Sequence, residues 1–246
     1  MKPKAIILRG PGTNCDIETF SSFRHAGAAP ELVHINKLVS GEKNLLDYSI
    51  LALPGGFSYG DDISAGKIFA VKIRKLAGNI KKFIHEGRPV IGICNGFQVL
   101  VKTGFLPENK KHKQVSTLYT NECGHFLAKW VKLKVNKKSP CIFTKNLPDE
   151  IELPIAHGEG KFIVEDKKIM DEILNENLCS LTYVENPNGS MHDIAGITNK
   201  KGNCFGLMPH PERNLFIWQN PDRKTPIKEI QAAGYQIFKN SVDYAK

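Results

Sequence analysis

The sequence predicts an α/β fold, an open and mostly parallel sheet with helices on both faces and an antiparallel extension. Three patterns carry this expectation. Short apolar runs rich in Ile, Val and Leu alternate with longer amphipathic stretches, the pattern of strands buried on both faces beneath helices. Each early run closes on glycine, proline or polar residues. In the second half the apolar runs follow one another with fewer helical stretches between them, which marks the antiparallel part.

The first half places strands at Lys4 to Leu8, Glu31 to Ile35, Ser49 to Leu53 and Pro89 to Ile93. Ser64 to His85 has helical character and closes on Gly87, a residue that enters the left-handed conformation ending a helix without steric cost. A helix over Phe97 to Lys102 opens directly after the fourth strand. Further strands are expected at Phe126 to Val135, Ile151 to Ala156, Cys179 to Val184, Asp193 to Thr198 and Cys204 to Met208. Pro226 to Tyr244 reads as a terminal helix with proline in its first turn, where the missing N–H is not needed. Without an internal repeat or a linker, residues 1–246 read as a single domain.

At 246 residues, with 41% hydrophobic and 24% charged positions, the chain can bury a sizeable core. The opening MKPKAIILRG has too short an apolar run for a secretory signal, and nothing later matches a membrane span, so a cytoplasmic protein is expected. Six cysteines include no CxxC clamp, which disfavours structural zinc, and the length and lack of a signal disfavour a disulfide framework. The net charge of +9 is spread among carboxylates, so it argues against nucleic acid. Its one tight cluster, Lys110, Lys111, His112 and Lys113, reads first as a solvated loop and second as a docking face for an acidic partner.

Val90-Ile91-Gly92-Ile93-Cys94-Asn95-Gly96 puts a cysteine where a buried strand gives way to a helix. Glycines two residues either side let the chain reverse sharply around a nucleophile, with the sulfur expected to stand exposed above the sheet edge. The helix N-terminus favours thiolate over thiol, and the Asn95 N–H is placed to stabilise an oxyanion. The competing but weaker reading of Cys94, taken alone, is a small buried hydrophobe. Met208-Pro209-His210-Pro211-Glu212-Arg213 offers a base and its orienter two positions apart, although a lone HxE is more simply a surface turn. Leu53-Pro54-Gly55-Gly56-Phe57 closes the third strand with bare backbone at Gly55, Gly56 and Phe57, either a second oxyanion donor or a glycine turn before a helix cap. Cys15 sits at a similar strand-to-helix turn but lacks the small flanking residues of an elbow.

Together the three segments resemble the class I, or triad, glutamine amidotransferases, whose fold is flavodoxin-like. PGGFSYGDD, GICNGFQVL, PIAHGEGKF, NPNGS and GLMPHPER narrow the resemblance to the small glutaminase subunits of phosphoribosylformylglycinamidine (FGAM) synthases, from the first strand to Arg213. That resemblance implies Cys94 as nucleophile, His210 and Glu212 as its triad partners, and Gln98 facing the substrate pocket. His157 in PIAHGEG follows a strand and competes with His210 as a base, but it has no elbow-like partner and its neighbouring glycines suggest close backbone packing, so it is assigned to pocket support. The resemblance also implies hydrolysis of glutamine to glutamate through a γ-glutamyl thioester, with no metal and no cofactor held by this chain. Ammonia would pass to a large synthetase subunit that uses ATP and magnesium in de novo purine biosynthesis, with a small bridging subunit between them. Glu122-Cys123-Gly124-His125 and the lysine-rich stretch before it depart from the family pattern and bear on partner contacts. The alternatives are a stand-alone cysteine hydrolase or stress protein on the same fold, which usually lacks the late HPE pair, and an inactive regulatory module, which an intact triad contradicts.

Overall fold

The computed structural model describes residues 1–61, 64–109, 113–222 and 231–246. Its first half alternates strand and helix: β1 (Lys4–Arg9), α1 (Asp16–His25), β2 (Ala29–His34), α2 (Ile35–Val39), β3 (Ile50–Leu53), α3 (Lys67–Arg74), α4 (Ala77–His85), β4 (Val90–Ile93) and α5 (Asn95–Lys102). The second half is richer in strands, with β5 (Ser116–Thr120), β6 (Leu127–Val135), β7 (Glu150–His157), β8 (Glu159–Val164), α6 (Lys167–Asn175), β9 (Cys179–Tyr183), β10 (Ile194–Thr198), β11 (Cys204–Leu207) and α7 (Ala233–Tyr244).

Among the described residues one sheet of nine strands runs in the order β2-β1-β3-β4-β11-β10-β9-β6-β7. The pairs from β2 to β11 are parallel, and those from β11 to β7 are antiparallel. The α/β class and the antiparallel extension are therefore as the sequence predicts. β3, β4, β10 and β11 are buried along their whole length, which explains why they read as unbroken apolar runs. α1 meets α7 through an edge-to-face contact of Phe23 and Phe238, 5.0 Å between centroids. α3 packs on α5.

Two expectations need correction, and one element is additional. The helix read over Ser64 to His85 is two helices: Lys75 N–H bonds Lys72 O at 3.1 Å and Leu76 N–H bonds Ile73 O at 2.9 Å. This tightening to i→i+3 bonds ends α3 and turns Leu76 into the core. The terminal helix begins at Ala233, because Gln231 bridges to Phe216 and Ala232 N–H bonds Leu215 O at 2.9 Å in extended backbone; Pro226 lies outside the described residues, as do Lys110, Lys111 and His112. A two-stranded antiparallel ribbon of β5 and β8 was not foreseen. Phe162 of β8 stacks on Phe97 of α5, centroids 6.2 Å apart, and so ties the ribbon to the main body. No helix among the described residues is long and apolar enough to cross a membrane.

The sheet also turns back on itself. β7 forms its far edge, yet Pro154 O of β7 accepts the His210 N–H just beyond β11 at 2.8 Å. The turn from β7 to β8 is built around Asn121. Its Nδ2 donates to His157 O at 2.8 Å, while its Oδ1 lies 3.0 Å from His157 Nδ1 and accepts Gly160 N–H at 3.0 Å. An amide oxygen needs a donor, so the neutral imidazole carries its proton on Nδ1. Nε2 is then buried with no hydrogen-bond partner. Burial, with a smaller contribution from His210, lowers the His157 pKa from 6.5 to about 4.

A histidine depressed in the folded state binds its proton more tightly when unfolded, so its contribution to stability is complete above pH 6.5. It falls as pH drops through the window from 6.5 to about 4, a loss of roughly 3 kcal/mol at most. The urea midpoint of the parent should therefore fall more steeply across that window than that of His157→Gln, whatever the variant's overall stability. Parallel slopes in the two proteins would show that His157 does not titrate as a buried neutral group.

Candidate active site

Cys94 links β4 to α5 with φ 50 and ψ −105, a region in which a residue with a side chain is strained, at a cost of about 1–3 kcal/mol. Its backbone is held on both sides: the N–H bonds Leu207 O at 2.8 Å, and the carbonyl accepts Phe97 N–H and Gln98 N–H at 3.0 and 3.1 Å. Gly96 is required by contact, since a Cβ there would lie 1.9 Å from Leu53 O. The elbow geometry is therefore present. Cys94 is, however, buried rather than exposed, at 6% for the whole residue, and the returning β7 brings Ala156 O to 3.7 Å from Sγ. At the first position of α5 the Asn95 N–H has no acceptor within the helix.

His210 follows β11 in extended backbone, and Pro211 to Arg213 then make one 3-10 turn. The turn returns Glu212 Oε1 to 2.6 Å from His210 Nδ1. α7 presses against this turn at Gly234, where a Cβ would lie 2.1 Å from Pro211 O. Both His210 and Glu212 are buried. Burial opposes a charged imidazole, but Glu212 and Cys94 beside it prevail and hold the His210 pKa well above the ordinary histidine value. With Nδ1 engaged by Glu212, Nε2 is the nitrogen left to face the sulfur, and it has no hydrogen-bond partner of good geometry. The arrangement can take a proton from a thiol and return it to a leaving amine.

The turn after β3 lies against the same imidazole. A Cβ on Gly55 would sit 2.9 Å from His210 Cε1 and 3.5 Å from Cys94 Cβ. Gly56 has φ 139, open to glycine and strained for other residues. Phe57 N–H is bonded to Gly12 O at 2.9 Å, and its half-exposed ring faces Phe126, centroids 6.2 Å apart.

Asn95 and Gln98 are buried and mutually bonded, Asn95 Nδ2 to Gln98 Oε1 at 3.0 Å. Asn95 also accepts Ser58 Oγ at 2.6 Å and donates to Asp61 Oδ1 at 3.2 Å, while Gln98 Nε2 donates to Glu159 O at 2.7 Å. The amide of Gln98 thus joins α5 to the β7–β8 turn. His157, on that turn, lies near enough to His210 for the two charges to oppose each other.

The sequence reading sets Cys15 aside and gives Arg213 no role, yet both belong to this cluster. Cys15, at the start of α1, is buried with its thiol against His210, and Arg213 Nη2 donates to its sulfur at 3.1 Å. Arg213 also reaches Glu18 Oε2 at 3.5 Å. A cysteine after β1 and an arginine after the HPE segment are visible in the sequence, but their meeting depends on the adjacency of strand ends.

Residues 2–245 match the family described as the CobB/CobQ-like glutamine amidotransferase domain. The chain is 42% identical to the phosphoribosylformylglycinamidine synthase subunit PurQ of Treponema denticola, covering 99% of each protein. It is 43% identical to the protein of the same name from Dehalococcoides mccartyi, covering 100% of this chain and 98% of the relative. Among solved structures it resembles a chain of PurLQS from Thermotoga maritima, with a TM-score of 0.79 at 34% identity and all of both chains covered. An elbow cysteine, a histidine–glutamate pair beside it and a match over nearly the whole length make this chain a member of the glutamine amidotransferase family.

Proposed function

We propose that this chain is the glutaminase subunit of an FGAM synthase, forming one amidotransferase domain over 1–246. The observation that carries the chemical part is the convergence of Cys94, His210 and Glu212 in a buried cluster, with the imidazole oriented by a 2.6 Å contact to the carboxylate. Full-length similarity to proteins named PurQ supports the pathway.

In the proposed reaction the Cys94 thiolate attacks the glutamine side-chain carbonyl carbon. The Asn95 N–H stabilises the resulting oxyanion, with a second donor from the Gly55 to Phe57 turn. His210 gives its proton to the departing ammonia. It then takes one from water as the water attacks the γ-glutamyl thioester, releasing glutamate and the thiol. Glu212 keeps the imidazole in place and stabilises its charged form; Gln98 and His157 shape the glutamine pocket. Ammonia passes to a large synthetase subunit, with a small bridging subunit, and ATP and magnesium are used there rather than on this chain.

Coupling to the partner fits the state of the oxyanion turn. The Phe57 N–H is engaged by Gly12 O, so recruiting it as a donor requires a local rearrangement. Phe57 and Phe126 present half-exposed rings beside that turn, a surface on which a partner can act.

Cys94→Ala should abolish glutamate release and change stability by about 1 kcal/mol or less, since one buried sulfur is removed; persistent release would remove Cys94 from the reaction. Glu212→Gln should lower turnover by roughly 10²–10⁴-fold. Because Glu212 raises the His210 pKa, the histidine limb of the pH–rate profile should move to lower pH in that variant; an unmoved limb would deny Glu212 its electrostatic part. Glutamate production by the isolated chain should be slow and should rise at least tenfold when the synthetase subunit, nucleotide and acceptor are added. A rate alone equal to the rate in the complex would favour a stand-alone hydrolase.

A further inference from the structure

The reaction assigned to His210 uses one thiol, yet two converge on its imidazole. Cys15 and Cys94 both border the Gly55 position that faces the ring. The lack of a side chain at Gly55 makes the space: a Cβ there would stand 3.2 Å from Cys15 Sγ, 2.9 Å from His210 Cε1 and 3.5 Å from Cys94 Cβ. Cys15 Sγ, a His210 ring nitrogen and a Glu212 carboxylate oxygen all lie within 4.8 Å of one another. His210 Nε2 is buried without a hydrogen-bond partner, whereas Nδ1 is held by Glu212 at 2.6 Å.

We propose that Cys15, Cys94 and His210 Nε2 form an inhibitory site for a thiophilic divalent cation of the zinc class. Glu212 stands where an outer-shell carboxylate stands in metal sites, fixing the imidazole through the nitrogen that does not bind the ion. The donor set, two sulfurs and one imidazole nitrogen, suits a tetrahedral d¹⁰ ion with Zn–S near 2.3 Å and Zn–N near about 2.0 Å. Ligand atoms around such an ion are separated by roughly 3.5–3.8 Å, so side-chain rotation within the cluster brings the donors into place. Charge also balances: two thiolates and a neutral imidazole offset the ion. Arg213 Nη2, 3.1 Å from Cys15 Sγ, adds positive charge beside that thiolate.

Binding displaces the thiol protons and the proton on Nε2. Affinity should therefore increase with pH. Inhibition, which rests on the proposed roles of Cys94 and His210, follows because the ion takes the sulfur that attacks and the nitrogen that moves the proton. Cys15 adds a ligand without taking part in turnover.

The test uses the full chain carrying Cys123→Ser, which removes the one exposed thiol. Cobalt(II) is titrated into the reduced protein under anaerobic conditions, with sulfur-to-cobalt charge-transfer absorption as the readout. Strong tetrahedral absorption is expected, displaced by zinc and reduced by about half in Cys15→Ser and in Cys94→Ser separately. Cys15→Ala serves as a second variant, and circular dichroism checks that each is folded. In the assembled synthase, the zinc concentration giving half inhibition, referred to each variant's own uninhibited rate, should rise at least tenfold without Cys15. Absence of cobalt–thiolate absorption would overturn the proposal. So would an unchanged spectrum and unchanged inhibition in the folded Cys15 variants, which would leave the metal on Cys94 and His210 alone. The spectrum reports binding even if Cys94 proves not to be the nucleophile, so failure of the site and failure of the proposed reaction remain separable.

Discussion

The contact between Gly96 and the Leu53 carbonyl governs where the rest of the site can stand. β3 and β4 end side by side, with Leu53 opposite Gly92, and α5 starts so close to β3 that a Cβ on Gly96 would lie 1.9 Å from Leu53 O. This approach leaves no room for a relaxed connection, and Cys94 takes φ 50 and ψ −105. The strain is offset by the bonds its N–H and carbonyl make to Leu207, Phe97 and Gln98. The sulfur is thereby brought to the ends of β1, β3 and β11, where their loops supply Cys15, Gly55 and His210.

The antiparallel half completes this arrangement from the other side. Because the sheet returns, Pro154 of β7 holds the backbone of His210 and Ala156 caps the Cys94 sulfur. Closure places the His210–Glu212 pair in an interior where each charge depends on the other. A buried pair stripped of one partner leaves an uncompensated charge, which costs about 3–5 kcal/mol. Glu212 therefore contributes to the integrity of the cluster as well as to the state of the imidazole, and the β7 return has a chemical role besides its structural one.

The sequence was most informative where local residues determine the outcome. Strands such as β3, β4 and β11 are buried on both faces, so their apolar runs could be read without knowing their neighbours. The triad candidates were equally visible, because a glycine-flanked cysteine and an HPE segment carry their geometry in short spans. Periodicity failed at Lys75 and Leu76, where a tight turn keeps the hydrophobic pattern while breaking the helix. The β5–β8 ribbon was missed because its pairing joins distant, partly exposed segments. Burial of Cys94 and the approach of Cys15 were illegible for the same reason: each depends on which strand ends meet.

The loop beyond Phe57 connects these local and distant effects. Tyr59, Gly60 and Asp61 are consecutive left-handed residues with φ 57, 70 and 53, a strained stretch that persists only because surrounding bonds fix it. Ser58 and Asp61 are both bound to the side chain of Asn95, next to Cys94. Asp61 also accepts Gly66 N–H, and Glu159 from the β7–β8 turn accepts Ala65 N–H. Burial pushes the Asp61 carboxyl pKa upward, aided by the Glu159 charge, while Gly66 and Asn95 partly offset it. The same few bonds thus oppose backbone strain and the desolvation of a carboxylate. A change in them acts on Asn95 and, through Gln98, on the β7–β8 turn. The strained loop, the elbow helix and that turn are therefore one mechanically linked unit, with the Phe57 and Phe126 rings as its outward face.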